Sequence, residues 1–101
     1  ENADFLDALE KQTYLFNEFD KLVSSYDLII APGTSGIAPL KNNLEKDDSS
    51  LIWTFLHLPT IFAPIFKGPK NLPFGLQFVS KKWNDFKLIR TLKILKKNSL
   101  L

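Results

Sequence analysis

Residues 32 to 36 read Pro-Gly-Thr-Ser-Gly. Two hydroxyls between two glycines are the residue types that bind anions or build an oxyanion hole, because such a turn directs backbone N–H groups outward. A phosphate cradle is excluded, since no Lys follows Gly36 where a P-loop needs one. Two readings stay open: a tight turn leaving a buried strand, or a pocket-lining loop at a strand's C-terminal end, where open α/β sheets place ligands. His57 is the only histidine. It would have to be the base of a Ser-His-Asp site, but no G-x-S-x-G elbow is present, and a packed or capping role suits it better. Asp47 and Asp48 read as a helix N-terminus, where negative charge is favoured. The chain has no Cys, which excludes a disulfide framework, a thiolate metal site and a Cys nucleophile. No metal site and no cofactor are expected.

These groups need elements to position them. Phe5, Leu9, Phe16, Phe19 and Val23 recur at helical spacing opposite a charged face, predicting one amphipathic helix over 2–25. "DLIIAP" is a short, continuous apolar run closed by Pro32. Such a run suits a strand covered on both faces, as in a parallel or mixed sheet. "LKNNLEKDD" is polar and expected to be exposed. Asp48 or Ser49 caps a short helix through "SLIWTFLH". "PTIFAPIF" reads as a strand whose two prolines limit its ladder and make its end irregular. "KGPKNLP" is a turn, so "FGLQFVS" forms the second strand of a hairpin. Asn84 or Asp85 opens a last helix with Phe86, Leu88, Ile89, Leu92 and Leu95 on its apolar face. The order is helix, strand, helix, strand, strand, helix, an α/β pattern. Three short strands with apolar character on both faces want neighbours that this chain does not supply.

With 101 residues, 45% of them hydrophobic and nine of them Phe, a disordered chain is excluded. No apolar run approaches a membrane span. The N-terminal stretch is acidic and amphipathic, unlike a secretory signal. A cytoplasmic setting is expected. The net charge of +2 is too small to argue for nucleic acid. Charge is nevertheless uneven: residues 1–27 hold seven acids and two Lys, and residues 81–97 hold seven bases and one acid. Two solvated helices that attract each other account for this asymmetry. A start within a helical pattern and the absence of Met set the expectation of a piece of something longer, a single partial domain over 1–101.

Three pieces stand in order: "YDLIIAPGTSGIAP", "WTFLHLPTIFAPIF" and "NLPFGLQFVSKKWNDFKLI". The succession resembles the C-terminal part of the amidase signature family, which includes amidases, glutamyl-tRNA amidotransferase A subunits and fatty-acid amide hydrolases. Asp27, Pro32, Ala38 and Pro39 match the first piece, Pro59 and Pro64 the second, and Leu72, Pro73, Gly75, Gln77 and Asp85 the third. His57 stands where the second motif usually has Gly, and Pro64 lacks the usual Gly after it.

The resemblance implies the C-terminal portion of a mixed sheet flanked by helices, in a protein that acts on carbon–nitrogen amide bonds. The family's Ser-Ser-Lys machinery lies in a Gly/Ser-rich core upstream. Ser49 and Ser50 lack its glycines, and "PGTSG" sits in the wrong place, so no catalytic residue carries over. What carries over is a role in completing the sheet and lining part of the pocket, with Gly33, Thr34, Ser35 and Trp53 as substrate-binding candidates. Gly75 is expected to permit close backbone approach. The implied partners are a missing upstream catalytic half or another protein chain and, through the parent, a small-molecule amide; neither nucleic acid nor a membrane span is implied. The alternative class is a non-catalytic interaction module derived from the same fold.

Overall fold

A computed structural model describes residues 1–44 and 46–101; Glu45, within the polar stretch expected to be exposed, lies outside the described residues. Helix α1 spans Asn2–Leu22, strand β1 Ile29–Pro32, helix α2 Ser50–Phe55, strand β2 Thr60–Lys67, strand β3 Pro73–Val79 and helix α3 Asp85–Lys97. A short 3-10 turn, Pro69–Asn71, joins β2 to β3. The order of elements is the one read from the sequence.

The sheet runs β1-β3-β2, and both pairings are antiparallel. A connection as short as residues 68–72 can join only antiparallel neighbours, since a parallel pair needs a crossover. β1 and β2 therefore point the same way but lie on opposite sides of β3. The parallel pairing that the β1 pattern suggested is absent among the described residues. β2 carries one extra residue between Ala63 and Phe66, opposite the shorter step from Leu76 to Phe74. Pro64 sits in this bulge, where its missing N–H does least harm. Gly75 faces the bulge. A Cβ there would lie 2.7 Å from the Ala63 carbonyl carbon and 2.8 Å from the Pro64 Cα, so the close approach expected of Gly75 is present.

β3 is covered on both faces, which explains its near-continuous apolar run. Phe78 and Leu76 point to one side, where Leu88 and Leu92 of α3 pack with Leu28, Ile61, Ala63 and Leu95. Val79 points to the other, into a cluster of Trp53, Leu56 and Leu58 that Phe16 and Phe19 of α1 help to close. The Phe19 and Trp53 rings lie 6.1 Å apart at 56°, a tilted contact of the kind aromatic quadrupoles favour. α3 buries the i, i+4, i+7 stripe Leu88, Leu92, Leu95. Phe86 falls outside that stripe and is 88% exposed, against the expectation that it belonged to the apolar face.

Local chemistry sets the ends. The Ser24 hydroxyl donates to the Lys21 carbonyl at 2.8 Å, satisfying one of the last carbonyls of α1 and stopping it three residues before the predicted end. Asp48 Oδ1 accepts from the Ser50 N–H at 2.8 Å and from the Ser50 hydroxyl, so Asp48 supplies the side-chain bond at the start of α2. These bonds hold the Asp48 carboxyl below its ordinary range. Lys87 Nζ meets Asp27 Oδ1 at 2.8 Å, tying α3 to the entrance of β1. This is the one ion pair among the described residues that joins the acidic and basic ends.

Much apolar surface has no partner. Along the first half of α1 the apolar side chains are open, with Phe5 62% exposed and Leu6 and Leu9 exposed as well. The radius of gyration is 16.3 Å, against about 13 Å for a compact domain of this length.

Candidate substrate pocket

The loop after β1 is built by β3. Gly33 N–H donates to the Gly75 carbonyl at 2.8 Å, extending the β1–β3 ladder by one step. The Gly33 carbonyl accepts from Gln77 Nε2 at 3.1 Å. Gln77 Oε1 in turn accepts from the Trp53 indole N–H at 2.9 Å. One buried amide thus ties α2 to the glycine loop through the central strand. A polar side chain that is only 8% exposed holds its place because both ends are satisfied. A Cβ on Gly33 would run into the Phe62 ring and lie 3.1 Å from the Gly75 carbonyl. This glycine is required by contact, not by an unusual backbone angle.

Beyond Gly33 the loop turns on its own hydroxyls. Thr34 Oγ1 bonds the Gly36 carbonyl and accepts from the Gly36 N–H at 3.4 Å. Gly36 sits at φ +148°, a backbone angle that L side chains rarely adopt. Ser35 Oγ donates to the Lys46 carbonyl at 3.3 Å, drawing the following loop across. Between these segments and the hairpin lies an open cavity of about 510 Å³. Thr34, Ser35, Asn43, Lys46 and Asp48 supply its polar lining, and Ile37, Leu44, Phe62 and Phe74 its apolar lining. It combines apolar surface with a few convergent polar groups, the usual make-up of a small-molecule site.

The four candidates from the sequence are placed differently. Thr34 and Ser35 line the cavity. Gly33 lies directly behind it, fixed by main-chain bonds. Trp53 sits in the core and touches the loop only through Gln77. Phe62, Phe74, Lys46 and Asp48 were not among the candidates. Phe62 could have been found as the residue opposite Gln77 in the hairpin.

The structure also separates the groups a hydrolytic triad would need. Ser35 bonds a carbonyl, while His57 lies at the far end of α2, its Nε2 3.2 Å from Gln12 Nε2. His57 has φ 54°, the left-handed region that glycine enters at no steric cost. The position where the amidase motif usually has Gly is thus one where the backbone asks for it. Among the described residues no three His, Asp or Glu side chains converge on a metal site.

The chain is similar to the A subunit of glutamyl-tRNA(Gln) amidotransferase from Thermotoga maritima, 30% identical over 105 aligned residues. That match covers 96% of this chain and 22% of the relative. Over nearly its whole length the chain resembles the C-terminal part of amidase signature proteins. The corresponding protein of Brachyspira hyodysenteriae is 25% identical over 92 residues, 82% of this chain and 19% of its own length. That of Treponema denticola is 31% identical over 83 residues, 73% and 17% respectively. The ordered motifs agree with this repeated match. The chain spans about a fifth of the length of these relatives. No family model and no solved structure matches it. Its helices include none long and apolar enough to cross a membrane, among the described residues.

Proposed function

We propose that this chain is the C-terminal segment of an amidase-type hydrolase acting on carbon–nitrogen amide bonds, a partial domain that completes the sheet and forms one wall of the substrate pocket. The observation that carries the proposal is the Trp53–Gln77–Gly33 chain of hydrogen bonds. The third motif's Gln fixes the first motif's loop at the rim of a cavity.

In this account the wall binds and orients; it does not cleave. Gly33 sets the loop, Trp53 and Gln77 hold it, and Thr34 and Ser35 present hydroxyls beside Phe62 and Phe74. A small amide would lay its apolar part on the two rings and its polar part on the loop. The nucleophilic Ser, the bridging Ser and the Lys base belong to a part of the protein outside these residues. That upstream half is the partner against which the exposed face of α1 packs. Positioning of this kind acts on ground state and transition state together, so its loss raises KM more than it lowers kcat.

The test uses the whole protein that carries this chain. Amide hydrolysis is followed by ammonia release, with Thr34→Val and Ser35→Ala beside the unaltered protein. Several-fold higher KM at similar kcat supports the wall. Hydrolysis with unchanged KM in both variants removes the pocket role, and no hydrolysis of any amide removes the enzyme assignment.

A further inference from the structure

Lys82 is a half-buried cation without a counter-ion. Among the described residues no carboxylate lies within ion-pair reach of its Nζ. Two aromatic rings attract the ammonium instead, with centroids 5.3 Å away at Phe16 and 5.5 Å away at Trp83. Lys82 borders an open cleft of about 550 Å³ that Leu58 and Pro59 line with His57, Trp83 and Asp85. A smaller hollow of about 160 Å³, reached by Gln12 and Phe16 of α1, shares Lys82 and His57 with it. None of the cleft residues lines the cavity beside Thr34 and Ser35.

The hydrogen bonds around His57 settle which of its nitrogens carries the hydrogen. The Phe55 carbonyl accepts from Gln12 Nε2, which fixes the side-chain amide with its NH2 group toward α2. An amide nitrogen only donates, so His57 Nε2, 3.2 Å away, is the acceptor. The imidazole hydrogen of the neutral ring is therefore on Nδ1, which has no partner among the described residues. Trp83 has φ 68°, a left-handed angle at which a bulky residue is an outlier. Its side chain is nevertheless 84% exposed, so burial does not offset that angle. What the position supplies is a flat aromatic face at a cleft that holds one unpaired cation and one unpaired N–H.

We infer that this cleft binds a small aromatic carboxylate, with its ring against Trp83 and its carboxylate on Lys82 Nζ and the His57 N–H. A planar ring stacks on the exposed indole and excludes water from it. An ammonium and a carboxylate make the charge-assisted bond that Lys82 lacks within the chain. Asp85 lines the same cleft, and its charge opposes a second negative charge beside it. A monoanion therefore suits the site better than a phosphate dianion. A neutral ligand would leave Lys82 as unpaired as it is without one.

Equilibrium dialysis of radiolabelled phenylacetate against the whole protein that carries this chain tests the inference. Saturable binding is expected, weakened by ~10-fold or more in Lys82→Gln and in Trp83→Gly, the scale of one charge-assisted or stacking contact. Trp83→Gly keeps the fold, because glycine takes the left-handed angle at no steric cost, so lost binding in that variant is not lost folding. Neutral phenylacetamide and non-aromatic cyclohexylacetate should compete ~10-fold less well than phenylacetate itself. Thr34→Val should leave the affinity unchanged, which separates this cleft from the pocket of the amidase proposal. Absence of saturable binding below about 10 mM overturns the inference. So does binding that survives both variants, or that falls in Thr34→Val instead. Phenylacetamide or inorganic phosphate competing as well as phenylacetate would overturn the ligand class, as would a nucleoside monophosphate that binds more tightly.

Discussion

Replacing Gln77 with Leu removes the group that satisfies two partners at once while keeping roughly the same volume. The Trp53 indole N–H then faces an apolar side chain in a buried cluster, and the Gly33 carbonyl loses its donor. A buried donor left unpaired costs about 1–3 kcal/mol. Gly33 is buried too, but a carbonyl with two lone pairs is left under-satisfied more easily than an N–H, so its loss is near the lower end. Together the two give ~2–4 kcal/mol. With a urea slope of about 2 kcal/mol/M, in the middle of the range for a small domain, the midpoint falls by ~1–2 M. Unfolding is followed by far-ultraviolet circular dichroism of the helices, a signal that every variant keeps. The coupling test adds Trp53→Phe, which removes the orphaned donor. The double variant is expected to be more stable than the sum of the two single losses by about 1 kcal/mol, because neighbours sharing a bond are not additive. A loss below ~0.5 kcal/mol for Gln77→Leu, or strict additivity with Trp53→Phe, would refute the role given to this amide.

Three further outcomes follow from the same geometry. His57→Gly should stabilise the chain by ~1 kcal/mol, read as a higher urea midpoint, because it relieves a left-handed backbone angle. Gly75→Ala should destabilise it by at least ~2 kcal/mol, since the added methyl meets the backbone of the β2 bulge and not a side chain that can turn away. The Asp27 carboxyl is held below its ordinary value by the hydrogen bond and the charge of Lys87. A lowered folded-state pKa means stability present above the unfolded value and lost as pH falls through the folded one, so the effect lies below about pH 4. Lys87→Met should return the Asp27 pKa toward its ordinary value in an NMR titration, and an unmoved titration would show that the pair does not persist in water.

The element order was legible because each pattern has a local cause. Phe16, Phe19 and Val23 keep helical spacing, Pro59 and Pro64 demote a strand to an edge, and a five-residue turn forces a hairpin. What stayed hidden depends on contacts far apart in the chain. The apolar run of β1 is the same whether its neighbour runs parallel or antiparallel, so composition could not give its direction. Phe86 counts as apolar in any pattern, but the helix phase set by Leu88 and Leu92 turns it outward. Trp53 is a pocket candidate only through the family resemblance. Its indole N–H donates to Gln77 in the core. The left-handed backbone at His57 was visible only as a missing glycine in a motif, and the structure supplies its cause.

The most direct measurement is the hydrolysis of a panel of small amides by the whole protein, captured in its folded form from its own cells through an affinity tag. The account predicts ammonia release, weakened through KM when Thr34→Val or Ser35→Ala is introduced. A captured protein that releases no ammonia from any amide would contradict it and leave a non-catalytic interaction module in its place.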